Sequence, residues 1–400
     1  MGALRYINNW RQFLEDYGHW RLLMAEFNKV IYLRSYLKNH REEDRKKTLH
    51  HGVRWLVESI KVGRDEGSGT YYFNTGWTSS YPETTGYIIP TLLDYAQWSE
   101  AHWAQEARSA AFSAGHWLLD IQHEDGGWPG GYVHQERPSV VFNTGQILRG
   151  MKALYDADQN EDRTKWKNAA ERAILWIWEQ LDEEGRFSKN DFMGATRVYG
   201  TYVVAPILDW LPEFESESSL WKTHARRHLD WVLTQQNDLG WLANCDNTLH
   251  KNDRPIIHTI AYTLDGLWDA GRSLDDERYT AAAEVGARYL ATEFLQRGIL
   301  NGRYDKAWKG SESFIPTGGA QLAILWHKMH QHTGEAIWKA ATLQMNTLLS
   351  VIATRGAREP LETAGAITGS FPLWGRYEPM GLPNWATKYM VDSLLNEFAR

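Results

Sequence analysis

Apolar residues recur along this chain at three- and four-residue spacing, as in helices that bury one face, and the helices they predict alternate between two kinds. One kind is an amphipathic segment ending in an aromatic or aliphatic pair: Trp55-Leu56, Trp117-Leu118, Trp176-Ile177, Trp231-Val232, Tyr289-Leu290 and Leu348-Leu349. These anchors lie 55 to 62 residues apart. The other kind starts on small or polar residues and continues as an apolar helix. Its starts fall near Thr85-Gly86, Thr144-Gly145, Gly200-Thr201, His258-Thr259, Gly318-Gly319 and Asn384-Trp385, 56 to 66 residues apart. A period of this length marks a repeat architecture, and two interleaved series of six make a twelve-helix array. The run Tyr87-Ile88-Ile89-Pro90-Thr91-Leu92-Leu93 is apolar nearly all round, as an inner helix should be, whereas 164–180 keeps an Arg-, Lys- and Glu-bearing face for solvent. The pattern predicts an all-α fold, an (α/α)6 toroid of alternating outer and inner helices.

The connections are unequal. Those running from the first kind of helix to the second are long, at 61–83, 122–142, 182–198, 237–257, 296–316 and 354–383. The return connections are short, as at 273–277 and around Gly334. Loops beyond about 12–15 residues are usually functional or disordered, and here six recur at one point of the repeat. They gather on a single rim around the inner-helix N-termini, which is where a site is expected. Ahead of the ring, 10–37 reads as one or two further helices packed outside it. The expected division is therefore an N-terminal helical extension at 1–44 and one toroid domain at 45–400.

Composition narrows the chemistry. A net charge of −7 without a basic block argues against a nucleic-acid surface. No apolar run approaches the roughly 20 residues of a membrane span, and no signal peptide is visible in this chain, so the sequence reads as cytoplasmic. The single cysteine, Cys245, leaves no intramolecular disulfide and no multi-cysteine metal site. The unusual quantity is 21 Trp and 19 Tyr. Many fall in the long loops, where aromatic faces can pack on the C–H faces of sugar rings.

Two resemblances follow from particular segments. Gln122-His123-Glu124-Asp125-Gly126-Gly127-Trp128, with Gln235…Gly240-Trp241 and a worn copy at Gln180…Gly185-Arg186-Phe187, resembles the QW repeat of squalene cyclases and prenyltransferases. That repeat is mainly scaffold. The segments 80–87, 141–146, 258–263 and 383–388 resemble a group of bacterial α/α-toroid proteins found with surface- and exopolysaccharide biosynthesis genes, over about residues 45–400. This second resemblance implies a poly- or oligosaccharide substrate and a link to polysaccharide biosynthesis machinery. Gly126-Gly127-Trp128-Pro129 is also similar to a short stretch of some helical-barrel pectate lyases.

The rim offers groups for glycan chemistry. Cleavage of a uronate polymer by β-elimination needs a Tyr or His to remove the C5 proton, a cation or amide to neutralise the carboxylate, and an acid for the leaving oxygen. The expected catalytic set is His134, Arg137, Tyr199, His258, Arg376, Tyr377 and Glu83. The expected substrate-binding set is Trp77, Tyr81, Trp128, Asn143, Arg197, Asn247, Trp308, Trp374, Asn384, Trp385 and Lys388. A polysaccharide lyase, or a related uronyl epimerase, is the favoured reading.

A glycoside hydrolase is the alternative, and it needs two convergent carboxyl groups. Glu83, Glu136, Asp191, Asp246, Asp253, Asp305, Glu312 and Glu378 are available for it. A non-catalytic glycan-binding toroid is a third reading, and an isoprenoid cyclase a distant fourth, because no DxDD cluster is present. Structural roles compete throughout. Glu83 can cap an inner helix, His258 can be a satisfied buried histidine, the rim arginines can tie loops together, and about half the tryptophans can be packing. No organic cofactor is expected. Ca2+ is compatible with a carboxylate-lined loop, while Zn2+ on Cys245, Asp246 and His258 is disfavoured by their order. His327, His330 and His332 fall at the far end of an inner helix and read as solvated surface.

Overall fold

The computed structural model describes residues 19–249, 251–354 and 363–398. A first helix, α1 (His19–Asn39), kinks at Tyr32 and lies outside the ring. Six outer helices follow the first sequence pattern: α2 (Glu42–Lys61), α4 (Trp103–Asp120), α6 (Thr164–Glu179), α8 (Ser218–Leu233), α10 (Glu277–Arg297) and α12 (Ala336–Ile352). Six inner helices follow the second: α3 (Pro82–Trp98), α5 (Val141–Ala157), α7 (Thr201–Leu208), α9 (Ile257–Leu274), α11 (Pro316–Thr333) and α13 (Asn384–Phe398). Each inner helix packs on the next, and α13 packs back on α3, so the ring is closed. This is the (α/α)6 toroid that the repeat predicts.

Burial separates the two series. In α9 nearly every residue is buried, including Thr259, Thr263 and Asp265. In α6 burial keeps to one side, centred on the stripe Trp166, Ala169, Ala170, Ala173, Ile174 and Ile177 at i, i+3, i+4, i+7 spacing, with Trp176 and Trp178 at its edges. The inner helices approach closely where side chains are absent. A Cβ on Gly86 of α3 would sit 2.7 Å from the Ile147 Cα of α5, and one on Gly150 of α5 would sit 2.4 Å from the Gly86 carbonyl. Proline starts α3 and α11, at Pro82 and Pro316, where a missing N–H costs nothing and a fixed φ helps.

The long connections lie on one rim and carry short strands. In the first, β1 (Tyr71–Tyr72) pairs with β2 (Gly76–Trp77) and with β5 (Gly381–Leu382) of the last, in the order β2-β1-β5. Tyr71 faces Trp77 and Leu382, and Tyr72 faces Gly76 and Gly381. This sheet joins the first and last loops across the seam of the ring. In the fifth connection β3 (Arg303–Tyr304) pairs with β4 (Gly310–Ser311).

Two details differ from the sequence reading. α2 begins at Glu42, so a boundary at 44/45 falls inside its first turn; of the expected extra helices, residues 10–18 lie outside the described residues. The second copy of the Gln/Gly/Trp turn is built on Gln236, not Gln235. Gln122 donates to the Gly126 and Ala169 carbonyls at 2.8 and 2.9 Å. Gln236 donates to the equivalent Gly240 and Ala282 carbonyls at 3.2 and 2.9 Å. Gln235 instead contacts Thr234 and Asn244. The glutamine must lie four residues before the glycine to reach both its own turn and the next outer helix.

Candidate functional site

A cleft of about 220 Å³ opens on the long-loop rim at the axis of the ring. Its wall comes from the N-terminal turns of α3, α5, α9 and α13, the end of the third loop, and the second, fourth and last loops. Seven of the expected residues meet there: Tyr81, Glu83, Tyr199, Asn247, His258, Tyr377 and Trp385. Tyr87, Tyr132, Phe142, Tyr262 and Glu378 join them. Tyr87 and Tyr262 stand four residues after Glu83 and His258 on the same helix faces, a spacing that could have drawn them into the site from sequence.

Glu83 is the second residue of α3 and sits deep in the cleft. Some of its surface opens to the cavity, but protein surrounds it on every side, and this loss of water raises its carboxyl to about 8 despite the Tyr81 hydroxyl within hydrogen-bonding reach. In a partly buried site the helix-end dipole favours the anion by at most about 2 kcal/mol, so desolvation prevails and the carboxyl keeps its proton at neutral pH. Glu378, in the same wall, accepts a hydrogen bond from the Tyr72 hydroxyl.

His258 is held through Nδ1 by the Gln321 Oε1 at 2.8 Å. Burial lowers its pKa to about 4, so the ring is neutral. In this arrangement Nδ1 carries the hydrogen and Nε2 the lone pair. Burial also raises Tyr81, Tyr87, Tyr199, Tyr262 and Tyr377, which keeps their hydroxyls protonated. The Trp385 indole donates to the Tyr377 hydroxyl at 3.1 Å.

The floor is closed. Tyr262 approaches the Tyr389 hydroxyl at 3.3 Å, and Tyr389 approaches that of Tyr202 at 3.4 Å. Beyond them a larger cavity of about 790 Å³ opens on the short-loop face. Much of its charge is internally paired: Lys328 with Asp265 and Asp269 at 2.7 Å each, and Lys388 with Asp392 at 2.6 Å.

The other expected residues lie elsewhere. Lys388 faces that opposite cavity, one turn too far along α13 to reach the rim. Trp128 is fully buried, its indole donating to the Leu118 carbonyl at 2.7 Å, so it has no face for a sugar. Trp308 is likewise buried, stacked on Tyr289 at 4.9 Å. Asn384 is buried and pins α13 to Ser68 and Thr84, at 2.8 Å each. Asn143 stands behind the cleft and hydrogen bonds to the Tyr81 hydroxyl. Trp77 packs on Trp55, and Trp374 is half-buried against the core.

None of the rim arginines lines the cleft. Arg197 is buried and donates to the Thr248 carbonyl at 2.9 Å. Arg376 is exposed, 3.5 Å from Glu312. Arg137 lines a shallow outer depression, and the exposed His134 stacks on Tyr132. No Lys or Arg is among the lining residues. The reason is that long basic side chains reach loop carbonyls and rim carboxylates before they reach the axis.

Asp246 is fully buried and bonds Arg303 at 2.8 Å, holding the fourth loop to β3. Cys245 is buried with its thiol raised to about 12. Among the described residues no group of three or more His, Cys, Asp or Glu could hold a metal ion. His250 lies outside the described residues, and His327, His330 and His332 lie at the short-loop end of α11.

The sequence matches no family model, and no curated protein is significantly similar to it. Solved structures do share its shape. An unsaturated glucuronyl hydrolase from a Bacillus species superposes with a TM-score of 0.66 over 88% of this chain and 96% of that one, at 12% identity. One from Streptococcus agalactiae gives 0.64 over 91% and 94%, also at 12% identity. A novel alpha-amylase from Clostridium perfringens gives 0.62 over 87% and 98%, at 9% identity. At such identities the likeness establishes the fold alone. That fold is the α/α toroid.

Proposed function

We propose that the cleft hydrolyses the glycosidic bond of a chain-terminal sugar, with Glu83 as proton donor and Glu378 as the partner carboxylate. One observation carries the reading: a carboxyl group held protonated at neutral pH lines the same tyrosine-rich pocket as a second carboxyl group. Glu83 gives its proton to the departing oxygen while the bond from that oxygen to the ring carbon breaks. Glu378 takes a proton from the water whose oxygen replaces it, then releases that proton to solvent as Glu83 takes one back, so both groups return to their starting state. His258 and Asn247 are placed to hold sugar hydroxyls, with Tyr132, Tyr377 and Trp385 against the ring faces.

The volume favours attack at a chain end. At about 220 Å³ the pocket lies below the roughly 300–1,000 Å³ of a drug-sized site, so it admits about one sugar ring rather than the middle of a polymer. The names of the structural neighbours point to a uronyl sugar from an acidic glycan. The N-terminal ends of the inner helices and the tyrosine hydroxyls are then what receives its carboxylate.

β-Elimination and epimerisation fit less well. They call for a base near its working pKa and a cation on the uronate. The cleft tyrosines are shifted the wrong way, His258 is a weak base at about 4, and no Arg or Lys lines the wall.

The test is incubation of the purified protein with unsaturated uronyl disaccharides, saturated uronyl and neutral glycosides, and intact acidic polymers. Loss of the ultraviolet absorbance of the unsaturated sugar, or release of a saturated terminal sugar, is expected. Gain of that absorbance on intact polymer would sink hydrolysis in favour of elimination. Binding without turnover would point to a glycan-binding toroid.

A further inference from the structure

α1 presents two different faces. Its inner face is fixed to the body: Leu22 and Ala25 are buried, the Lys29 ammonium donates to the Ile352 carbonyl at 2.9 Å, and Glu26 accepts from the Leu373 N–H at 2.8 Å. Ile352 ends α12 and Leu373 belongs to the last long connection, so both ties lie at the rim end of the ring. The opposite face is apolar and is not covered by any of the described residues. Trp20, Met24, Phe27 and Ile31 follow one another at i, i+4, i+7, i+11 and remain 52%, 54%, 51% and 56% exposed. Four large side chains in line on one helix are unlike the scattered surface apolars of an ordinary soluble protein.

The exposed charges on this helix have one sign. Arg21, Arg34 and Lys38 are exposed, while its one acid, Glu26, is buried. The chain as a whole carries −7, so α1 is a basic, aromatic strip on an acidic molecule. A second copy of the chain is a poor occupant, since a two-fold pair of α1 helices would bring like charges together. A helix with Trp, Phe, Ile and Met on its free face and Arg and Lys beside them has the chemistry of one that lies in the headgroup layer of an anionic bilayer. No helix among the described residues is long and apolar enough to cross a membrane, and a surface-lying helix does not need to be.

We infer that α1 docks this protein onto an anionic phospholipid surface, through Trp20, Met24, Phe27 and Ile31 with Arg34 and Lys38 as cationic contacts. The inference is independent of the reaction in the cleft. It places the lipid beside the long-loop rim, because the inner face of α1 is tied there.

The test is co-sedimentation of the full chain with vesicles of phosphatidylcholine alone or with roughly 30% phosphatidylglycerol, at low and high salt. Binding to the anionic vesicles is expected to be at least about tenfold stronger than to the neutral ones, and to weaken several-fold at high salt. Trp20→Ser, Phe27→Ser and Ile31→Ser together should abolish binding while the circular-dichroism melt is unchanged. Arg34→Glu with Lys38→Glu, which leaves the apolar row intact, should lower it by at least about tenfold. Equal binding to both vesicles, or none, overturns the inference. So does a native dimer by light scattering that the triple serine variant converts to monomer, which would assign the strip to a second copy.

Discussion

Glu83 is where the chemistry of single residues is most exposed to test. Glu83→Gln keeps the shape and removes the transferable proton, so kcat on a glycoside substrate is expected to fall by roughly 10²–10⁴ with little change in KM. The same group makes stability depend on pH. In the unfolded chain it titrates near 4.5, and in the cleft near 8. Between those values the folded protein holds a proton the unfolded chain has lost, so stability falls as pH rises through this window and the penalty is complete above it. Glutamine cannot ionise. Denaturant titrations should therefore find Glu83→Gln more stable than the parent at about pH 9 and close to it at about pH 5; a constant difference at both would refute the buried-acid description. His258 works in the opposite sense. Its pKa drops from 6.5 to about 4 in the fold, so it removes stability as pH falls through that range. Both residues were legible in the sequence, because each stands in the first turn of a repeated inner helix. What sequence could not supply was which long side chains reach the axis. Arg197 and Arg376 have the right chemistry and the right loops, yet the first is tied to the Thr248 carbonyl and the second lies exposed beside Glu312.

Among the elements, the turn that follows α4 and α8 shows what the Gln/Gly/Trp spacing does physically. Gly126 has φ +95, and a Cβ there would lie 2.6 Å from the Arg172 carbonyl oxygen of α6. Gly240 meets α10 in the same way, with φ +82 and the Gly286 nitrogen at 2.7 Å. The glycine thus lets a left-handed turn press against the next outer helix while the glutamine bonds both. Gly76 offers a control, since its φ of +75 is similar but nothing lies within 4 Å of its would-be Cβ. Gly76→Ala should cost about 1–2 kcal/mol from backbone conformation alone, and Gly126→Ala should cost more by about 1–3 kcal/mol from overpacking. Equal losses in denaturant titrations would mean that the close approach is not what fixes this glycine. Periodicity made the turn visible but not its register. Gln235 and Gln236 are adjacent and identical in kind, and only the distance to the neighbouring helix decides between them. Trp128 failed as a sugar platform for the same reason: a tryptophan following this turn is aimed under the ring, into the core.

For the molecule as a whole, a toroid must close, and closure is a contact between the ends of the chain that no local pattern announces. The inner starts at Thr85 and Asn384 were readable, but not that the last would be pinned to the first. Asn384, fully buried, donates to the Ser68 and Thr84 hydroxyls, while β5 pairs with β1 alongside. Thr84 follows Glu83 and lines the same cleft, so the seam and the site share a residue. Asn384→Ala removes the amide and leaves the Ser68 hydroxyl with Ser59 and the Thr84 hydroxyl with the Tyr81 carbonyl as their remaining partners. The expected cost is about 1–3 kcal/mol, from the two hydrogen bonds lost. The consequence should be local as well as global, because the start of α3 loses the support that sets Glu83 against Tyr81. A lower unfolding midpoint together with reduced kcat at temperatures where the variant is fully folded is therefore expected. Loss of stability with kcat intact would separate the two and show that α3 keeps its position without the seam. Loss of activity with stability intact would instead place Asn384 in the cleft itself, contrary to its burial.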